Sequence, residues 1–179
     1  MIRKLSERLC FTACVPEGSS SGTHVFLSLG SNLGDRKKFL EEALFLLQKN
    51  QFFIVQNSSI YETSPVGCEE GAASFYNIVT EGIWDSDAFA LLALCKKIET
   101  ELGRPADHAH WVSRNVDVDI IFFGEELIHT PVLTVPHPLA KERAFVLAPL
   151  AEIAAERIFP GRKESCRQLR ERLEQETKA

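Results

Sequence analysis

Arg114-Asn115-Val116-Asp117-Val118-Asp119-Ile120-Ile121-Phe122-Phe123-Gly124 alternates apolar and acidic side chains at the period of a β-strand. Val116, Val118 and Ile120 fall on one face of such a strand, and Asp117 and Asp119 fall together on the other. Carboxylates this close repel each other and resist burial, so a fold that presents them side by side usually supplies a cation. Oxygen-only donors favour Mg²⁺, which is commonly held by one or two carboxylates plus substrate phosphates. The alternative is an edge strand whose solvated face carries two aspartates, and a bare D-x-D does not separate the two. The surroundings favour a site: Arg104, Trp111 and Arg114 precede the pair, and His137 and Arg143 follow it.

Working outward, 179 residues with 45% hydrophobic content fit one domain with a full core. The formal net charge of -5 argues against general nucleic-acid binding, while arginines gathered around acidic residues point to a local anionic ligand. The five cysteines are scattered, odd in number and without a C-x-x-C pair, which suits a reducing cytoplasm better than a disulfide scaffold or a zinc site. Residues 1–22 read as a flexible N-terminal extension. Their apolar run, Leu9 to Val15, is too short and too interrupted for the unbroken core of about 7–15 residues that an export signal needs. No later stretch approaches a membrane span. Residues 23–163 form the domain proper, and 164–179 a polar tail in which Leu169 and Leu173 stand a helical turn apart.

Within the domain, Thr23–Leu29 reads as a strand that breaks at Gly30-Ser31-Asn32-Leu33-Gly34-Asp35. That turn either seats a phosphate on backbone N–H groups or is a tight strand-to-helix turn capped by Asp35; it lacks the lysine of a Walker motif. Phe39, Leu40, Ala43, Leu44 and Leu47 recur at helical spacing. Phe52–Glu62 reads as one strand or a bent pair, ending at Thr63-Ser64-Pro65-Val66-Gly67. Phe75–Val79 is a further strand placing Phe75 and Asn77 on one face, an aromatic ring beside an amide, which suits either a flat heterocycle or an ordinary core. A helix capped by Asp85 or Ser86 runs to about Leu102, with Phe89, Leu92, Cys95, Ile98 and Leu102 on its buried stripe. Lys96 and Glu99, one turn apart, either pair on the surface or line a cleft. Arg104–Ser113 lacks periodicity and reads as a functional loop. His129 reads as a surface strand residue. His137, between two prolines, is restrained on both sides, and Lys141 and Arg143 introduce a helical stretch from Ala144 to Ile153.

Six ordered stretches carry a family resemblance: Leu29–Gly34, Ser59–Pro65, Phe75–Asn77, Ile98-Glu99 with Gly103-Arg104, Arg114 with Asp117–Asp119, and Val135–His137 with Arg143–Phe145. From about Val25 to Phe159 the chain resembles the 6-hydroxymethyl-7,8-dihydropterin pyrophosphokinases. The resemblance implies an α+β fold of ferredoxin-like type, with a mainly antiparallel four-stranded sheet and helices packed around it. It implies transfer of diphosphate from ATP to the pterin hydroxymethyl group, giving AMP, in folate biosynthesis. Asp117 and Asp119 would then bind two Mg²⁺ ions and, with Arg104 and Arg114, form the catalytic set. Thr63, Ser64, Val66, Phe75, Asn77, Trp111 and Phe145 would enclose the pterin. Lys96, Glu99, Arg104, Arg114, Ile120, Thr134, His137, Lys141 and Arg143 would line the ATP side. Phe75, Ala106, Val132 and Pro138 depart from the better-known bacterial pattern. The tail either ends a free-standing domain or leads into a fused dihydropteroate synthase. Two rivals use the same residues: a Mg²⁺-dependent phosphohydrolase or nucleotidyl transferase, and a binding module without turnover.

Overall fold

The computed structural model describes residues 2–9, 22–64, 73–103 and 115–177. In chain order these are strands β1 (Ile2–Arg8) and β2 (Thr23–Ser31), helix α1 (Arg36–Lys49), strands β3 (Phe53–Asn57), β4 (Ser59–Thr63) and β5 (Phe75–Trp84), and helix α2 (Ala88–Glu101). Strand β6 (Asp117–Phe123), the short pair β7 (Ile128–His129) and β8 (Thr134–Val135), and helices α3 (Ala144–Ile153) and α4 (Cys166–Glu176) follow. The main sheet is antiparallel and runs β1-β4-β5-β2-β6, with β3 also paired to β5.

Strand β2 is central because both of its faces are covered. Val25, Phe26, Leu27, Ser28 and Leu29 are all buried, and their side chains alternate between two cores. Leu29, Ile78 and Val118 pack with Leu40, Leu44, Leu91 and Ile98 of α1 and α2. Phe26, Val79, Ile121 and Phe122 pack with Val146, Leu147 and Leu150 of α3 and Leu169 of α4. The result is helices on both faces of one sheet.

Strand β6 is not straight. Leu27 pairs with Ile120 but Phe26 pairs with Phe122, so Ile121 is an extra residue. That bulge turns Ile121 and Phe122 both into the α3–α4 core, where Phe122 meets Phe26 and Phe159 edge-on at centroid distances of 5.7 and 4.8 Å. The aspartates lie before the bulge, so their shared facing is kept.

Three local outcomes differ from the sequence expectation. The sheet has six strands rather than four: Phe52–Glu62, read as one strand or a bent pair, is the pair β3 and β4, and Ile2–Arg8, expected within a loose extension, is an edge strand on β4. Leu9 ends that strand in the core, and Asn57 donates to its carbonyl at 3.2 Å. Helix α2 is capped by Asp87, whose side chain accepts from Ala90 N at 2.8 Å, not by Asp85 or Ser86. Its buried face is Leu91, Leu94, Cys95, Ile98 and Glu99, and Phe89 remains 46% exposed. Apolar residues occur nearly all round this helix, so periodicity alone does not choose the face.

The expected cap of α1 is present: Asp35 accepts from Lys38 N at 3.1 Å. The polar tail contains α4, opened by a Ser165–Gln168 capping box and docked through Cys166 and Leu169. Among the described residues, no helix is long and apolar enough to cross a membrane.

Candidate active site

The register of the sheet assembles the site. Tyr61 of β4 pairs with Asn77 of β5, Asn77 with Gly30 of β2, and Gly30 with Asp117 of β6. Residues opposite each other in antiparallel strands share a face, so an amide and a carboxylate rise from the same face on either side of a residue with no side chain. Strand spacing sets them about 10 Å apart across Gly30. A Cβ built on Gly30 would come within 3.1 Å of Asn77 Oδ1, so glycine keeps this slot open. Asn77 is buried, and its Nδ2 donates to Thr63 Oγ1 at 2.9 Å, which leaves the orientation of its amide defined. Phe75, half-buried, shares the face two residues away and pairs with Thr63. Ser64 is exposed.

On the other side of the slot, Asp117 and Asp119 are half-buried and alternate with buried Val118 and Ile120. Burial pushes the Asp119 carboxyl above its usual range and the Asp117 charge adds to this, against the pull of His137, Lys96 and Arg143. Glu99 is fully buried and stands behind the pair. Its Oε1 accepts from Val118 N at 2.9 Å, occupying a donor on the edge of β6 that β2 leaves unpaired, and Lys96 Nζ lies 3.1 Å from Oε2. Burial, followed by a hydrogen bond with the Asp117 carboxyl, raises Glu99 to about 7. Three carboxyls and a lysine therefore form one linked group.

His137 follows β8, with its N–H donating to Ile121 O at 3.1 Å. Its Nδ1 accepts from Leu139 N at 3.2 Å, which places the proton of the neutral ring on Nε2 as a donor. Burial lowers the imidazole pKa and the Arg143 charge adds to this, while Asp119 works the other way. Arg143 lies 5.6 Å from the Phe145 ring centroid. Thr134 is half-buried on β8, and Lys141 pairs loosely with Glu142 at 3.7 Å. The structure thus gathers Asp117, Asp119, Glu99, Lys96, His137 and Arg143 electrostatically around one strand end. Ile120 differs: its side chain is buried in the α1–α2 core, so only its main chain can face a ligand. Val66, Arg104, Trp111 and Arg114 lie outside the described residues.

The donor set suits a hard cation. The two aspartates supply oxygen only, and the raised Asp119 pKa is what a desolvated carboxyl beside a second carboxylate produces. Among the described residues no group of three or more His, Cys, Asp or Glu side chains has the geometry of a metal cage. Two carboxylates completed by phosphate oxygens match the way Mg²⁺ is commonly held, unlike a structural Zn²⁺ site.

A sequence model of the family described as 7,8-dihydro-6-hydroxymethylpterin-pyrophosphokinase matches residues 26–155. The chain is 47% identical over 129 residues to the 2-amino-4-hydroxy-6-hydroxymethyldihydropteridine pyrophosphokinase of Bacillus subtilis, covering 72% of this chain and 76% of that one. It is 37% identical to the mitochondrial folate synthesis bifunctional protein of Pisum sativum, of whose length it spans 25%. Among solved structures, the wild-type HPPK-DHPS of Plasmodium falciparum with pteroate superposes with a TM-score of 0.72 at 17% identity, over 88% of this chain and 45% of that one. That last likeness is one of fold.

Proposed function

The chain belongs to the 7,8-dihydro-6-hydroxymethylpterin-pyrophosphokinase family, and from that premise we infer its reaction and the role of each site residue. It transfers a pyrophosphoryl group from ATP to 6-hydroxymethyl-7,8-dihydropterin, in folate synthesis. The hydroxymethyl oxygen attacks the β-phosphorus, the bond from that phosphorus to the α-phosphate oxygen breaks, and AMP leaves. The hydroxyl proton passes to solvent as the new bond forms. No covalent enzyme intermediate is required, so positioning and charge stabilisation carry the catalysis.

The observation that carries the assignment of residues is the row Asn77–Gly30–Asp117. In this reading, Asn77 and Thr63 hydrogen-bond the acceptor heterocycle beside Phe75, with Ser64, Val66, Trp111 and Phe145 completing its enclosure. Asp117 and Asp119 would hold Mg²⁺, two ions in the full complex, which would offset the charge of the triphosphate. His137, Arg143, Lys141, Lys96, Thr134, the Ile120 main chain, Arg104 and Arg114 bind the nucleotide, because guanidinium forks and imidazole N–H groups match phosphate oxygens. Glu99 orients Asp117 and secures the edge of β6. The glycine slot leaves room for the acceptor oxygen to approach the nucleotide phosphates.

The succession β2-α1-β4-β5-α2-β6, with spatial order β4-β5-β2-β6, supports reading the central four strands as ferredoxin-like, with β1 and β3 as additions. The scattered cysteines fit a reducing cytoplasm. The two-enzyme relatives make continuation into, or association with, dihydropteroate synthase a further proposal for the native assembly. Incubation with ATP, Mg²⁺ and hydroxymethyldihydropterin tests the reaction. AMP and pterin diphosphate should appear in equal amounts; ADP or inorganic phosphate as the nucleotide-derived product would overturn it.

A further inference from the structure

The slot accounts for the face toward α3, but the strand ends that carry Thr63 and Phe75 are also tied together from the opposite face. Glu62 pairs with Tyr76 one rung in from the Thr63–Phe75 pair. Their side chains point toward α1, away from Asn77. There Arg36, the first residue of α1, stacks its guanidinium 3.7 Å above the Tyr76 ring centroid. The same guanidinium donates through Nη1 to Glu62 Oε1 at 3.2 Å, to Ser74 O at 2.8 Å and to Ser74 Oγ at 2.6 Å. Ser74 Oγ donates in turn to Glu62 Oε1 at 2.6 Å. The ion pair is largely sheltered, with the two side chains 23% and 29% exposed. The Ser74 hydroxyl, then the Arg36 guanidinium, hold the Glu62 carboxyl below its usual range against some desolvation.

This cluster differs in kind from a solvent-exposed i, i+4 pair such as Lys38–Glu42 at 3.8 Å, which ties a helix to itself and contributes little. One planar cation here bridges three parts of the chain and fixes the end of β4 relative to the residue immediately before β5. Thr63 and Phe75 each follow directly on a residue held in the cluster, and Thr63 is the acceptor for the Asn77 amide. Movement of this rung by even a fraction of an ångström would change the spacing of the ring, the hydroxyl and the amide.

We propose that Arg36, acting through Glu62, Ser74 and Tyr76, is a positioning residue that sets the affinity of the acceptor half of the site without touching either substrate. The inference rests on the assignment of Thr63, Phe75 and Asn77 to the pterin. Arg36→Ala should raise the KM for hydroxymethyldihydropterin about tenfold, the cost of losing a charge-assisted cluster, while the KM for ATP and kcat at saturating pterin change less than about twofold. Arg36→Lys keeps the charge but not the planar fork and should recover only part of the affinity. Ser74→Ala is the milder test if Arg36→Ala folds poorly, and should shift the same parameter in the same direction.

A lowered melting temperature with an unchanged pterin KM, or equal losses for both substrates, would overturn the proposal in favour of a purely structural ion pair. Equilibrium binding of the pterin in the presence of a non-hydrolysable ATP analogue measures the same affinity without turnover, and should weaken to the same extent. A wild-type protein that does not form AMP would refute the reaction itself. Wild-type turnover together with an indifferent Arg36→Ala would refute only the role of the cluster.

Discussion

Asp117 and Asp119 share a face because strand side chains alternate, and each has a different neighbourhood: Asp117 bonds Glu99, whereas Asp119 feels His137 and Arg143. Asn at either position keeps the shape and removes the charge that gathers a cation. Asp117→Asn and Asp119→Asn should each lower kcat by at least about 100-fold, the scale seen when one electrostatic stabiliser of a transition state is removed, with pterin affinity nearly unchanged. Steady-state rates alongside pterin titration check this, and near-wild-type turnover in both variants would remove the metal assignment.

Glu99 gives a second prediction through its proton. Its folded pKa, about 7, lies above its ordinary 4.5, so between those values the folded state holds a proton that the unfolded chain has released. Stability must therefore fall as pH rises through that window in metal-free protein. Glu99→Gln, which copies the protonated acid toward Asp117 and still accepts from Val118 N, should flatten the decline in denaturant titrations between pH 4.5 and 7.

At the scale of elements, one side chain gathers several of the contacts that attach β1. Glu152 of α3 receives Lys4 at 3.3 Å and Arg8 at 2.7 Å from β1, and Ser59 N, Ser59 Oγ and Tyr61 Oη from β4. Burial raises its pKa, but these donors outweigh that and leave the carboxyl below its usual range. A depressed acid stabilises the fold above its unfolded pKa and loses that contribution as pH falls through the folded value. Glu152→Gln should therefore cost about 2 kcal/mol at neutral pH, the order of a hydrogen bond to a charged group. The gap from wild type should close in acid, as read by urea unfolding at two pH values; a gap independent of pH would argue that packing, not charge, holds β1.

This attachment is not legible in residues 1–9, where charged and apolar side chains follow no sustained period; strand pairing there depends on an edge supplied by β4. By contrast, α1, α3, β2 and β6 are readable, since local periodicity and the Asp35 cap suffice to define them. The bulge at Ile121 is hidden because it exists only relative to β2. The burial of Glu99 is hidden because Lys96 and Glu99 at i, i+3 look like a surface pair until β6 is laid beside them. The D-x-D, the His137 region and the Phe75–Asn77 pair stand out in the sequence as candidate site residues, but the glycine slot between the first and the last emerges only once three strands are in register.

Across the whole molecule, the proposed assignment would divide this end of the sheet into an acceptor half on β4 and β5 and a nucleotide half on β6 and the chain after β8, with β2 between them. The halves rest on different supports: the acceptor rung is backed by Arg36 of α1, and the aspartates by Glu99 of α2. Ligands that bind the folded state raise its stability by mass action, about 2.7 kcal/mol at a hundredfold excess over Kd. For a domain of this size that corresponds to a shift of several degrees in melting temperature.

The division predicts how those shifts respond to mutation. Pterin with a non-hydrolysable ATP analogue and Mg²⁺ should raise the melting temperature of the wild type by more than either ligand alone. In Asp119→Asn the Mg²⁺-dependent part of the nucleotide shift should vanish while the pterin shift persists, whereas in Arg36→Ala the nucleotide shift should persist and the pterin shift fall to about half. Loss of both shifts in both variants would mean that the two halves form a single cooperative site with no separable supports, and the roles assigned to α1 and α2 would have to be merged.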